Sequence, residues 1–236
     1  RPLSRCLNNF YYDLVCMTDN AKTALASLRD SDHPLGRPLA LCLMFEPAND
    51  QCLVASIFDL AIALDSALQI PSVSLLAAIR VQWWVDALSD STAQTAPLVT
   101  QLHAQFQIHD GLQSDIIDLI GHWQTACHDE NRDNSDGWVA VWALVAKHMG
   151  QAAQSAIATD ISHQLHHTIR GHEPHAAMPL NRPQINALRR NDAGKKRSFL
   201  YLAACWLRYM QRPNADANHP ALVWKMLAWQ LFGPPK

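Results

Sequence analysis

The stretch PSVSLLAAIRVQWWVDAL, Pro71 to Leu88, decides the fold reading. It opens like a helix: Pro71 fits a first turn, and Ser72 or Ser74 can cap it. Leu76, Arg80, Trp83, Trp84 and Ala87 then recur at helical spacing and share one face. That face is apolar except for Arg80. An arginine three and four residues before two tryptophans can lie across their rings, where cation–π attraction offsets part of the cost of burial. Spacing alone reads as a core helix with a snorkelling arginine. The expectation is that Trp83 or Trp84 is largely buried and that Arg80 reaches a partner, Asp65 first, because an unpaired buried arginine is costly.

Working outward, helical periodicity dominates and no convincing alternating strand is found. Leu7 to Leu28 reads as a first amphipathic helix, followed by a turn-rich break from Asp30 to Pro38. A short helix from Leu39 stops at Glu46-Pro47. Cys52 to Gln69 is a longer helix, ended at Ile70-Pro71 and predicted to pack antiparallel to Ser72–Leu88 in the core. Beyond a polar loop at Ser89–Pro97, helices are expected over Leu98–Phe106, Leu112–Cys127, Trp138–His148, Gln151–Arg170, Lys195–Gln211 and Pro220–Phe232. His128–Gly137 (HDENRDNSDG) reads as an exposed loop, and Gly171–Pro183, with three prolines, as a loop or linker. No internal repeat is visible. The fold class is all-α, one helical bundle of at least eight helices spanning residues 1–236.

Composition narrows the function classes. The 236 residues are 49% hydrophobic, enough for one substantial core, and only 17% charged. A net charge of −2 gives no dominant nucleic-acid surface, and no nucleic-acid partner is expected. The six cysteines (Cys6, Cys16, Cys42, Cys52, Cys127, Cys205) form no CxxC pair and read as reduced core thiols. The most apolar run, Cys52 to Ala67, is interrupted by Asp59 and Asp65 and falls short of the roughly 18 residues that mark a spanning helix. No signal peptide is visible. The leading arginine is compatible with a trimmed import sequence or with an arbitrary starting point.

Ile79-Arg80-Val81-Gln82-Trp83-Trp84, followed by Asp86-Ala87-Leu88, resembles the IRLQWWREAL signature of the squalene/phytoene synthase superfamily. The similarity runs back through Asp65 and Phe58 to Pro47 and Phe45, and Val85 stands where the family usually has arginine. The family joins two prenyl diphosphates head to head and includes non-catalytic relatives, among them a mitochondrial complex I assembly factor. The resemblance implies an isoprenoid-synthase-like bundle with two aspartate-rich motifs on facing helices. Carboxylates at i and i+4 share a helix face and hold Mg²⁺ against the diphosphate, where the metal neutralises the leaving group.

This chain departs from that pattern. The first motif falls on Asp65-Ser66-Ala67-Leu68-Gln69, so Asp65 is the single metal ligand retained and Gln69 offers no charge. Asp59 points to another side. The second motif falls near Gln164–Gly171, which has no carboxylate; His166, His167 and Arg170 stand there instead, ahead of Met178-Pro179. Arg80, Trp83, Trp84 and Arg170 remain as vestigial substrate contacts, and Lys195-Lys196-Arg197 reads as a solvated helix start. His163 and His167, with His166, His172 and His175 nearby, have the i, i+4 spacing that can chelate zinc or copper, but a histidine-rich helix end reads first as polar surface. No GxSxG, P-loop or GxGxxG is present.

The expectation is therefore a non-catalytic squalene/phytoene synthase-like protein without cofactor, a structural or assembly component whose partners are the protein subunits of a larger membrane complex. Many tryptophans and few charges suit an interface. The resemblance implies a mitochondrial setting, on the matrix side of the inner membrane with peripheral membrane association; a cytoplasmic setting is the other choice. The alternatives are an active Mg²⁺-dependent synthase, or a protein that binds a prenyl or other lipid ligand in the old cavity.

Overall fold

The structure is a computed structural model describing residues 19–69, 74–90, 96–169, 180–190, 192–194, 196–212, 215–216 and 219–234. Its order of helices is α1 (Asp19–Asp30), α2 (Gly36–Leu43), α3 (Ala48–Leu68), α4 (Ser74–Ser89), α5 (Pro97–Phe106), α6 (Leu112–Ala126), α7 (Ser135–His148), α8 (Ser155–Ile169), α9 (Arg182–Ala187), α10 (Phe199–Met210) and α11 (Leu222–Phe232). Among the described residues no strand occurs, only an isolated bridge between Arg190 and Lys196. The class is all-α.

α3 is the central element. It contacts α1, α2, α4, α5, α6 and α7. Its buried residues run without a break from Gln51 to Ala61 and so lie on every side, as in a helix enclosed by others. It is long and apolar enough to cross a membrane, but 78% of its most apolar window is buried within the protein. Fully buried Phe58 packs against Trp138, Trp142 and Phe199, the last at 5.8 Å between ring centroids. Each such ring contributes about 2–3 kcal/mol by leaving water. Buried residues from Ala24 to Trp229 form one contiguous core.

α4 packs on α3, as the sequence predicts, and also on α5 and α6, but its orientation differs from the prediction. Its buried residues are Ala77, Val81, Ala87 and Leu88. Of the stripe read from sequence as inward, Leu76–Arg80–Trp83–Trp84–Ala87, Ala87 is buried and Trp84 half-buried, while the buried line runs through Ala77, Val81 and Leu88, turned by about one residue from Leu76, Arg80 and Trp83. One residue is about 100° of helical rotation. Trp83 is consequently 40% exposed and Trp84 half-buried, with Arg80 in solvent. Arg80 makes neither an ion pair nor a cation–π contact among the described residues, so the expected Arg80–Asp65 pair is not formed. Small Ala77 and Val81 let α4 approach its neighbours closely; an inward stripe of Leu, Arg and Trp would have held it off.

Several boundaries also move. α9 lies at the end of the segment read as a loop. A capping box starts it: the Asn181 side chain accepts from the Gln184 backbone, and the Gln184 side chain accepts from the Asn181 N–H. The part of the first predicted helix before Asp19, Cys6, Cys16, Pro71, Arg170, His172, His175, Met178-Pro179 and Lys195 lie outside the described residues. The other four cysteines are buried free thiols, as read from sequence.

Arg197 is not a solvated helix start. It pairs with Glu46 at 3.3 Å and with Asp50. Buried Glu46 also accepts the backbone N–H groups of Ser198 and Phe199, the latter at 2.6 Å. An anion thus satisfies the unpaired donors at the start of α10 and ties it to the α2–α3 corner. Burial pushes the Glu46 carboxyl above its usual range, against the pull of these donors and Arg197.

Candidate functional site

Asp65 is 7% exposed and sits where three helices meet. Its Oδ1 accepts from the Trp123 indole of α6 at 3.1 Å and from the Asn134 amide just before α7. Its Oδ2 accepts from the Trp138 indole of α7 at 3.1 Å. His33 Nε2 stands 3.7 Å from Oδ2, and its ring stacks on Trp138 at 5.4 Å. A carboxylate offers about four lone-pair directions, so most of the Asp65 acceptor capacity is already used by protein donors. Neutral indole and amide donors are well suited to hold a buried anion in place, because each hydrogen bond to a charged group is stronger than a neutral one.

The local chain builds this clasp. Residues 127–134 turn back sharply, with Arg132 at φ 49°. The Arg132 guanidinium donates to the Leu68 carbonyl at 2.7 Å, satisfying an open end of α3. Asn134, 3% exposed, anchors the segment that the sequence reads as an exposed loop, whose last residues, from Ser135, begin α7. Gly137 must lack a side chain: a Cβ there would fall 2.8 Å from the Trp123 ring. That close approach lets Trp123 and Trp138, 6.4 Å apart, reach the same carboxylate.

Beside the clasp lies a cavity of about 190 Å³, lined among others by His33, Asp65, Gln69, Trp138, Ser162 and His166. Asp65 and Gln69 share its wall, as i, i+4 spacing dictates. Ser162 and His166 of α8 also line it, so the two stretches that the resemblance places on facing helices do meet at one cavity. Among the described residues the buried Ser162 hydroxyl has no hydrogen-bond partner. His163, by contrast, is exposed, and Arg170 is not described. Trp123, Trp138, Asn134, His33 and Ser162 were not singled out from sequence. Only Asn134, a polar residue immediately before a helix start, carried a recognisable signal.

Mg²⁺ does not fit these residues. It requires near-octahedral oxygen ligation. Asp65 has three of its acceptor directions filled, Gln69 is neutral, and α8 presents a hydroxyl and an imidazole. Among the described residues no group of three or more His, Cys, Asp or Glu is placed to hold a metal ion.

The remaining sequence candidates form a separate surface. Arg80, Trp83 and Trp84 border a cleft of about 310 Å³ with Ala63, Ser66 and Ala67 of α3. On the other flank of α4, Ile79, Gln82, Gly121 and Gln124 border a groove of about 540 Å³. Between them stands a crest of Leu75, Leu76, Ile79 and Trp83, 64%, 47%, 56% and 40% exposed.

Fold and site together define an all-α helical bundle with a buried aspartate clasp and a small mixed cavity. No family model, curated protein or solved structure matches the chain.

Proposed function

We propose that this protein is a non-catalytic, squalene/phytoene synthase-like helical scaffold that serves as a structural or assembly component of a larger membrane complex. The observation that carries the reading is the use of Asp65. The one carboxylate that the resemblance makes a metal ligand instead joins α3 to α6 and α7. Ionisation of an allylic diphosphate needs positioned positive charge at the leaving group. A clasp that spends its carboxylate on indole donors supports a role for the aspartate in stability.

The crest on α4 is the surface through which such a scaffold would engage a protein partner. An exposed aromatic between two grooves is the kind of feature that anchors interfaces. A mitochondrial inner-membrane setting goes with this reading and rests on the resemblance alone.

The test compares wild type with Trp83→Asp by native electrophoresis of gently solubilised membranes. The expected result is migration in a large assembly that the substitution abolishes, while the purified variant keeps its helical content. In parallel, incubation with farnesyl or geranylgeranyl diphosphate and Mg²⁺ is expected to give no squalene or phytoene. Turnover by the wild-type protein, or identical migration of both proteins, would overturn the proposal.

A further inference from the structure

The last helix presents a second apolar face, on a different part of the bundle. α11 (LVWKMLAWQLF) packs on α10 and α2, burying Leu222, Met226 and Trp229. Its outward residues are Val223, Trp224, Leu231 and Phe232, exposed by 37%, 70%, 39% and 82%. The helix has one charged residue, Lys225. That side chain folds over the Tyr209 ring at 4.1 Å and donates to the Tyr209 hydroxyl at 2.9 Å, so its charge is directed to α10. Beneath Trp224 a cleft of about 190 Å³ opens between α11 and α2, lined wholly by apolar residues such as Leu41, Met44, Phe45 and Leu227.

The rim at the C-terminal end of this face is basic. Arg189 donates to the Trp229 carbonyl at 3.2 Å and Gln230 to the Ser198 hydroxyl at 2.6 Å, so Arg189 and Ser198 at the two ends of a turn lie against the end of α11. In that turn Arg189 is taken up by Tyr201, and Arg197 by Glu46 and Asp50. Arg190 and Lys196 face each other across the isolated bridge and both are exposed, with one Arg190 N–H donating to the Gly194 carbonyl at 2.8 Å and the rest of the guanidinium open to solvent. The acidic residue in the described part of this turn is Asp192; Asp216 lies near the other end, by Tyr209.

We infer that α11 and the basic turn beside it form a docking face for an anionic lipid bilayer. Trp224 and Phe232 insert at the boundary between headgroups and acyl chains, and Arg190 and Lys196 meet the lipid phosphates. Two features favour a lipid surface over a protein. A protein interface ordinarily carries about one hydrogen bond per 100–200 Å², and the cleft under Trp224 offers no polar group to provide one. Exposed Trp and Phe with a cationic rim is also the pattern of helices that lie in the bilayer interface, where apolar area and charge add. This inference is independent of the partner crest on α4.

The test is co-sedimentation of the purified full chain with vesicles of phosphatidylcholine alone or mixed with phosphatidylserine. Binding is expected to the mixed vesicles, to weaken with added salt, and to be accompanied by a blue shift of tryptophan emission. Trp224→Ser combined with Phe232→Ser should lower the partition coefficient at least tenfold, while Trp224→Phe retains most of it. Each of Arg190→Glu and Lys196→Glu should cost about fivefold or more on the anionic vesicles, at roughly 1 kcal/mol per basic residue. Trp83→Asp should bind vesicles as wild type does, which separates this surface from the α4 crest. Circular dichroism should be unchanged in all variants, since these side chains are exposed or half-buried. Failure to sediment with either vesicle overturns the inference, as does binding indifferent to the Trp224 and Phe232 changes. So does a concentration-dependent oligomer that those changes dissolve, which would make the face a contact between copies.

Discussion

Replacing Asp59 by Asn should stabilise the protein at neutral pH and remove a pH dependence between about 4 and 6. Asp59 lies in the middle of α3, 8% exposed. Burial pushes its carboxyl from 3.8 up to about 6, against a smaller pull from a hydrogen bond with Ser27 of α1. In the unfolded chain the group regains its ordinary value, so between the two values the folded state binds more protons. Stability therefore falls as pH rises through this window. The penalty is absent below the unfolded value and complete above the folded one. Two pKa units correspond to about 3 kcal/mol. Asparagine keeps an acceptor for Ser27 but buries an amide whose N–H₂ needs partners, which costs on the order of 1 kcal/mol. The net gain at pH 7.5 is then about 2 kcal/mol, or roughly 4–8 °C in Tm for a chain of this size. The assay is urea unfolding of both proteins followed by circular dichroism from pH 4 to 8. Wild type should lose stability across the window and the variant should stay comparatively flat, apart from the slope both share from other groups. Parallel curves for the two proteins would refute the reasoning, because the carboxyl would then titrate alike folded and unfolded.

Asp65→Ala should cost about 4 kcal/mol, since it strands the indole donors of Trp123 and Trp138 and the Asn134 amide in the interior; a thermal midpoint near wild type would remove the clasp as a stabilising element. Gly137→Ala should destabilise by about 1–3 kcal/mol by driving a methyl group into the Trp123 ring, measured by chemical denaturation, with Gly121→Ala as a control because the space at Gly121 is open. Glu46→Ala should lower stability by about 3 kcal/mol, because it leaves Arg197 without one partner and the first donors of α10 unsatisfied; hydrogen exchange should show the first turn of α10 opening more than the centre of α3, and uniform loss of protection would count against a local role.

Much of the architecture is legible in the residues. The breaks at Glu46-Pro47 and Asp110-Gly111 lie close to the ends of α2 and α5, because proline restricts the residue before it and Gly111 takes up φ 76°. The apolar length of α3 gives its central place. The meeting of Asp65 and Gln69 at one wall follows from helical spacing. A one-residue error of phase at α4 was enough to send Arg80 and Trp83 to the wrong side, since its apolar residues go nearly all the way round and two overlapping stripes compete. Bulk decided between them: Ala77 and Val81 fit against neighbouring helices, and Trp83 does not.

What the sequence by itself determined is the helical class, the position of the principal helices and the scarcity of carboxylates where the resemblance calls for them; these depend on local propensity, periodicity and residue identity. Only the tertiary structure decided which groups spend the charge of Asp65. Its donors come from residues 123, 134 and 138, brought together by a turn at Arg132 and a missing side chain at Gly137. The same holds for Glu46 at the start of α10 and for the exposed aromatics of α11. A carboxylate far along the chain from its donors leaves no periodic trace, because its partners are chosen by the packing of helices and not by spacing within one.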